Sequence, residues 1–208
     1  HSVRAFRRYL KDEYGNIDRL NEEYGSKHAD WEQIKPVPYA HAVETDQIPL
    51  WIDFRRHMDR EWAQQYALIK ERATEFLPEI KIGSDASNDP GHSPRLGGLG
   101  GDDLWQLTQN MSLSGPYFWP LQLDCVRDFA DPGTLIGGGW FGGYSGMFRG
   151  ARHGPWHRWI IWYTLLRGAN SFWLWQGSGG ASGHTIGATI APDFTWYDHM
   201  SEGLSEIN

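Results

Sequence analysis

Cysteine is nearly absent: Cys125 is alone in 208 residues. A single thiol excludes an internal disulfide and any zinc–cysteine cluster, and it leaves the compartment open. Long apolar runs are missing, none approaching the roughly 20 residues that span a bilayer. No signal peptide is expected, because the opening HSVRAFRRYL is basic and amphipathic. Excess positive charge is lacking too. The 19 Lys and Arg face 26 Asp and Glu, for a net charge of −7, whereas a phosphate-binding surface needs clustered basic residues. Neither nucleic acid nor a membrane is therefore an expected partner. A local absence matters most: from Gly133 to Pro192 there is no Asp or Glu.

That acid-free window decides several motifs. The stretch TLIGGGWFGGYSGMFRG, Thr134 to Gly150, carries Gly137, Gly139 and Gly142 at the spacing G-x-G-x-x-G. A dinucleotide site also needs a helix starting at the third glycine and an acidic residue about 20 positions on. Here GYSGMFRGARHG offers no helix start, and the window offers no acid. No G-K-[ST] phosphate loop occurs. The GYSGM segment is only a partial echo of a serine nucleophile elbow, with no acidic partner following. His153 and His157 lie four apart at a helix start, with no carboxylate or cysteine near in sequence. No metal and no cofactor are expected.

Tryptophan and glycine are plentiful, at 12 and 25 residues, and 40% of the chain is apolar, enough for a core. An indole either packs in that core or offers a flat apolar face to a sugar ring; composition leaves both readings open. The periodicity predicts helices at SVRAFRRYLKDEYG, closed by Gly15, and at Ile17–Tyr24, closed by Gly25. Residues 26–50 read as irregular, broken by Pro36, Pro38 and Pro49. A long helix follows, with Trp51, Phe54, Met58, Trp62, Tyr66, Ile69, Ala73 and Phe76 as its apolar stripe, ended by Pro78. Strands are expected near 80–84, 104–110, 134–138 and 171–176, with LQLDCVRDFA and GPWHRWIIWYTLLRG as helices between them. The second of these is expected to bury Trp156, Trp159, Ile160, Tyr163 and Leu166. A final helix begins in DFTWYDHMSEGLSEIN.

Alternating helices and nearly continuous apolar strands indicate an α/β fold with a parallel sheet covered by helices. The glycine stretch would then be a loop at the C-terminal end of a parallel strand, the rim that holds active sites in closed barrels. Trp140, Phe141 and Tyr144 either stand at that rim or pack on a neighbouring helix.

Two stretches resemble glycoside hydrolase family 42, the β-galactosidase group of retaining (β/α)8 barrels. FRRYLKDEYGNIDRLNEEYGSKHADWEQIKPVP, Phe6 to Pro38, is similar to the family's phrase after the fourth strand. WHRWIIWYTLLRGANSFWLWQGSGGASGHTIG, Trp156 to Gly187, is similar to its last helix, Gly-Ala turn and eighth strand. The resemblance implies that residues 1–208 are the C-terminal half of one TIM-type barrel domain, strands five to eight, cut at both ends. It implies a saccharide substrate or ligand, β-linked and galactoside-type. It also implies two carboxylates about 5 Å apart. The acid/base would precede His1. At the nucleophile position, the end of strand seven, stand Gly138, Gly139 or Trp140. A carbohydrate-binding barrel without catalysis is the alternative, and oligomerisation is left open.

Within that frame Asp85 would end strand five, as a catalytic candidate or as an Asx turn. Asn110 would end strand six, bonding a sugar hydroxyl or capping a loop. Trp175 and Gln176 would end strand eight, Trp175 matching the family's stacking Trp or packing in the core. His184 matches the family's His after that strand, as a hydroxyl ligand or a solvated side chain. Asp85, Asn110, Trp140 and Trp175 are expected at one end of the sheet.

Overall fold

The computed structural model describes residues 3–85, 103–116, 120–138, 154–172, 201 and 203–207. The chain divides into two compact units, His1–Trp62 and Ala63–Asn208.

The first unit is helical. Helix α1 (Val3–Tyr14) buries Phe6, Tyr9 and Leu10. Gly15 ends it in the left-handed region at φ 74°, its N–H reaching the Lys11 carbonyl at 2.9 Å. Only a residue without a Cβ adopts that turn at little cost. Asn16 caps α2 (Ile17–Tyr24) by accepting from the Arg19 N–H, and left-handed Gly25 closes it. These ends lie where the sequence puts them. The segment 26–50 is more regular than expected. Asp30 caps a 3-10 turn at Trp31–Gln33, α3 covers Tyr39–Glu44, and α4 covers Ile48–Phe76. The prolines that suggested breakage sit at helix starts: Pro38 caps α3 and Pro49 lies in the first turn of α4, where a missing N–H breaks no bond. The core is Phe6, Tyr9, Leu10, Leu20, Ile34 and Leu50.

The expected apolar stripe of α4 is not its buried line. Leu50, Asp53 and His57 are buried, one residue, or about 100° of helix, away from Trp51, Phe54 and Met58. Two polar residues on the core face displaced the pattern. Trp62, Ile69 and Phe76 are exposed instead.

His57 stacks obliquely on Phe6 and Tyr9, with centroids at 5.6 and 5.3 Å. Burial pushes its pKa below the ordinary 6.5. The folded state thus disfavours the imidazolium, and the unfolded chain binds the proton first. The stability this group contributes is complete above about pH 6.5 and is lost as pH falls below that value toward its folded pKa. Urea unfolding at pH 7.5 and 5.5 should show this loss, and His57→Phe should remove the histidine's share of it.

The second unit holds a four-stranded sheet in the order β1-β2-β3-β4, with all neighbours parallel. Its strands are β1 (Gly83–Asp85), β2 (Leu113–Gly115), β3 (Leu135–Gly138) and β4 (Ser171–Phe172). Between them lie α5 (Leu104–Gln109), α6 (Pro120–Phe129) and α7 (Gly154–Leu166). The expected strand at 104–110 is therefore a helix. Asp103 accepts from the Gln106 backbone N–H at 3.0 Å and from its side-chain amide at 2.7 Å, a reciprocal cap. Leu104, Leu107, Thr108 and Met111 then fall on one buried face at helical spacing. The strand itself follows, at 113–115. Helix α7 buries Ile160, Ile161 and Thr164; of its expected face, Trp159 and Leu166 are exposed, and the Trp156 side chain lies outside the described residues. Gly168, at φ 98°, terminates this segment.

Candidate functional site

The N-terminal ends of the strands are stapled by side chains. Ser112 Oγ accepts from the Ile82 N–H at 2.9 Å, while the Ser112 N–H donates to the Ile82 carbonyl at 2.8 Å. Asn170 does the same one crossover later, accepting from the Ile136 N–H at 2.8 Å and donating to the Thr134 carbonyl at 3.0 Å. Neither residue stood out in the sequence, since a lone Ser or Asn before a strand carries no distinctive spacing.

The C-terminal ends are built differently. Asp85 pairs with Gly115, Gly137 with Ser171, and Gly138 with Phe172. Gly115, Gly137 and Gly138 supply no side chain, so the sheet ends in an open backbone edge at β2 and β3. In parallel α/β folds this edge faces the ligand crevice. Asp85 is the last residue of β1, as the sequence reading placed it; its side chain lies outside the described residues. Asn110 does not share that end. It follows α5, its amide donating to the Gln106 carbonyl at 2.7 Å, and it precedes β2 rather than ending it. Its backbone role as a helix cap replaces the expected strand end. Trp140, Tyr144, Trp175, Gln176 and His184 lie outside the described residues.

A second polar centre, unforeseen in the sequence, lies within the first unit. Buried Asp53 accepts two phenol hydrogens on one oxygen, from Tyr14 at 2.5 Å and Tyr24 at 2.6 Å. Arg56 stands 3.7 Å from the other oxygen. Burial first, and the bond to Asp53 second, push the Tyr14 phenol up to about 12, and the Tyr24 phenol rises further for the same reasons. Both phenols therefore stay neutral donors at neutral pH. The arrangement locks α1, α2 and α4 of this unit together and performs no proton transfer. The signal that could have found it was the acid at the core-facing i+3 position after Leu50. Tyr24→Phe deletes one charge-assisted hydrogen bond and should cost about 1.5–3 kcal/mol, read as a lower urea midpoint with unchanged m.

Among the described residues no group of three His, Cys, Asp or Glu could hold a metal ion. No helix among them is long and apolar enough to cross a membrane.

The fold and its edge define a class: an α/β protein whose parallel sheet is covered by helices, consistent with part of a (β/α)8 barrel. Residues 1–92 match the glycoside hydrolase family 42 model, described as beta-galactosidase, and over that span the chain is family 42-like, as its opening stretch suggested. The crystal structure of an apo exo-carrageenase of family 42 from Bacteroides ovatus superimposes with a TM-score of 0.67 at 18% identity. The match covers 97% of this chain and 30% of that one, so the chain spans under a third of its structural relative. No curated protein matches the chain.

Proposed function

We propose that this chain is part of a glycoside hydrolase-like barrel that takes β-linked, galactoside-type saccharides at the C-terminal edge of its sheet. In this reading β1 to β4 are strands five to eight of one barrel domain. The observation that carries it is the family 42 match over residues 1–92, which runs to and past Asp85 at the end of β1. The exo-carrageenase title of the structural relative points to the same substrate chemistry, a glycosidic bond. Asp85 is the catalytic candidate, and Trp140, Tyr144, Trp175, Gln176 and His184 are candidates for sugar contacts.

A second reading, saccharide binding without cleavage, is favoured by one specific observation. Strand β3 ends in Gly137 and Gly138, inside the acid-free window from Gly133 to Pro192, and a retaining mechanism needs a second carboxylate about 5 Å from the first. Titration with β-galactosides, run beside hydrolysis assays on an aryl glycoside panel, tests both. Saturable binding that Trp175→Ala weakens supports the site. Neither binding nor turnover on any β-galactoside would overturn it.

A further inference from the structure

We propose that the cleft in the first unit is a binding site for one neutral pyranose ring. The cleft, of about 430 Å³, lies between the C-terminal end of α2 and the α3–α4 connection, lined by Tyr24, His28, Thr45, Asp46, Gln47 and Leu50 among others. That size is within the range of small-molecule pockets, ~300–1,000 Å³.

Its walls are held by bonds that leave the lining groups uncommitted. Asn21 clamps the His28 backbone from both sides, donating to its carbonyl and accepting from its N–H, each at 2.8 Å. The same Asn21 oxygen accepts from Ser26 at 2.8 Å. Tyr24 is fixed by its bond to Asp53 and by an edge contact with Tyr14 at 5.7 Å. On the facing wall Gln47 donates its amide to Thr45 at 2.9 Å, and Thr45 donates to the His41 carbonyl at 2.6 Å. Among the described residues, the His28 imidazole, the Asp46 carboxylate and the Gln47 side-chain oxygen take part in none of these bonds.

Asp46 supplies an independent pointer. Its φ is 55°, whereas Gly15, Gly25, Gly133 and Gly168 fill the other left-handed positions among the described residues. A glycine would adopt this turn more easily, and a side chain kept in sparsely populated backbone space points to a use for it.

The lining fixes the ligand class. No Lys or Arg faces the cleft, so an anion has no counter-charge there. One carboxylate falls far short of the six to eight oxygens a calcium ion takes. A carboxylate does accept two adjacent hydroxyl donors, and an amide oxygen a third. Tyr24, Pro49 and Leu50 provide the apolar wall against which a sugar ring's carbon face lies. A neutral pyranose meets all of these conditions. None of the sheet residues takes part, so this proposal stands even if every glycoside assay on the sheet edge fails.

The test is a heteronuclear NMR titration of the 208-residue chain with methyl β-D-galactopyranoside, with calcium chloride alone as a separate arm. The expected result is saturable shifts at His28, Asp46 and Gln47, with Kd raised about tenfold or more in Asp46→Gly, a charge-assisted bond having been lost. Glycine keeps the left-handed turn, so the melting temperature should hold or rise; Asp46→Asn, which also tolerates that turn, is the second variant. The proposal is overturned by the absence of saturable shifts at these residues, by unchanged affinity in both variants, or by shifts that calcium alone reproduces.

Discussion

Gly83→Ala should abolish stable pairing of β1 with β2. A Cβ at Gly83 would lie 1.5 Å from the Leu113 carbonyl oxygen, 2.5 Å from its carbon and 3.1 Å from its Cα. The obstacle is backbone, so no rotamer change relieves it. Nor can β2 retreat, because Leu113 is paired on its other side with Leu135 and Ser112 is bonded to Ile82 just before the contact. Relief requires separating the two strands at the point where their register is set. Overpacking a well-packed site costs about 1–3 kcal/mol, and a backbone clash lies at or beyond the top of that range. Against a typical total of about 5–15 kcal/mol, this is a large fraction of the stability. Gly133→Ala is the matched control. Its Cβ would meet nothing within 4 Å, and only its φ of 87° would be strained, for a cost of about 1 kcal/mol. Urea unfolding of the two variants beside wild type decides the matter. Equal midpoints for Gly83→Ala and Gly133→Ala would show that strand proximity is not what constrains Gly83.

The parts of this fold that local chemistry writes were legible. Gly15, Gly25 and Gly168 each end a helical segment because a left-handed residue must, and three of the four strands lie where apolar runs predicted. What failed, failed for one recurring reason. Asp53, His57 and Thr164 are polar residues on buried faces, each satisfied by a partner that sequence spacing does not reveal. Tyr14 and Tyr24 serve Asp53, aromatic stacking serves His57, and the Ile160 carbonyl serves Thr164. With the core line masked by polar side chains, the next apolar line, Trp51–Phe54–Met58 or Trp159–Tyr163–Leu166, took its place. Strand β2, Leu-Ser-Gly, is too short and too weakly apolar to register, so the reading passed to Leu104–Asn110 and took Asn110 to the wrong end of the sheet with it. Asp85 survived because a strand-ending acid before a glycine- and proline-rich loop is a local signal. The glycine edge of β3 was legible as an absence of acid, which composition states outright.

That absence carries the prediction with the largest effect on rate. The 208-residue chain should show no turnover of aryl β-galactosides. A retaining glycosidase needs an acid/base and a nucleophile flanking one bond. General acid–base assistance alone contributes about 10²–10⁴-fold, and the covalent step has no substitute when the nucleophile is missing. Strand β3, which stands at the nucleophile position by resemblance, ends in two glycines with no Asp or Glu following before Asp193. Asp85 at the end of β1 is then a lone carboxylate at this edge in the sequence reading, and one carboxylate cannot both protonate the leaving group and attack the sugar. Activity should therefore fall about four orders of magnitude or more below that of a retaining enzyme with both groups, while binding of the same sugars persists. The measurement is aryl-galactoside hydrolysis followed by released phenol, with Asp85→Asn in parallel. Robust hydrolysis that survives Asp85→Asn would mean that a different carboxylate does the work. Hydrolysis abolished by that substitution would make Asp85 a catalyst and would require a partner carboxylate supplied by another part of the protein.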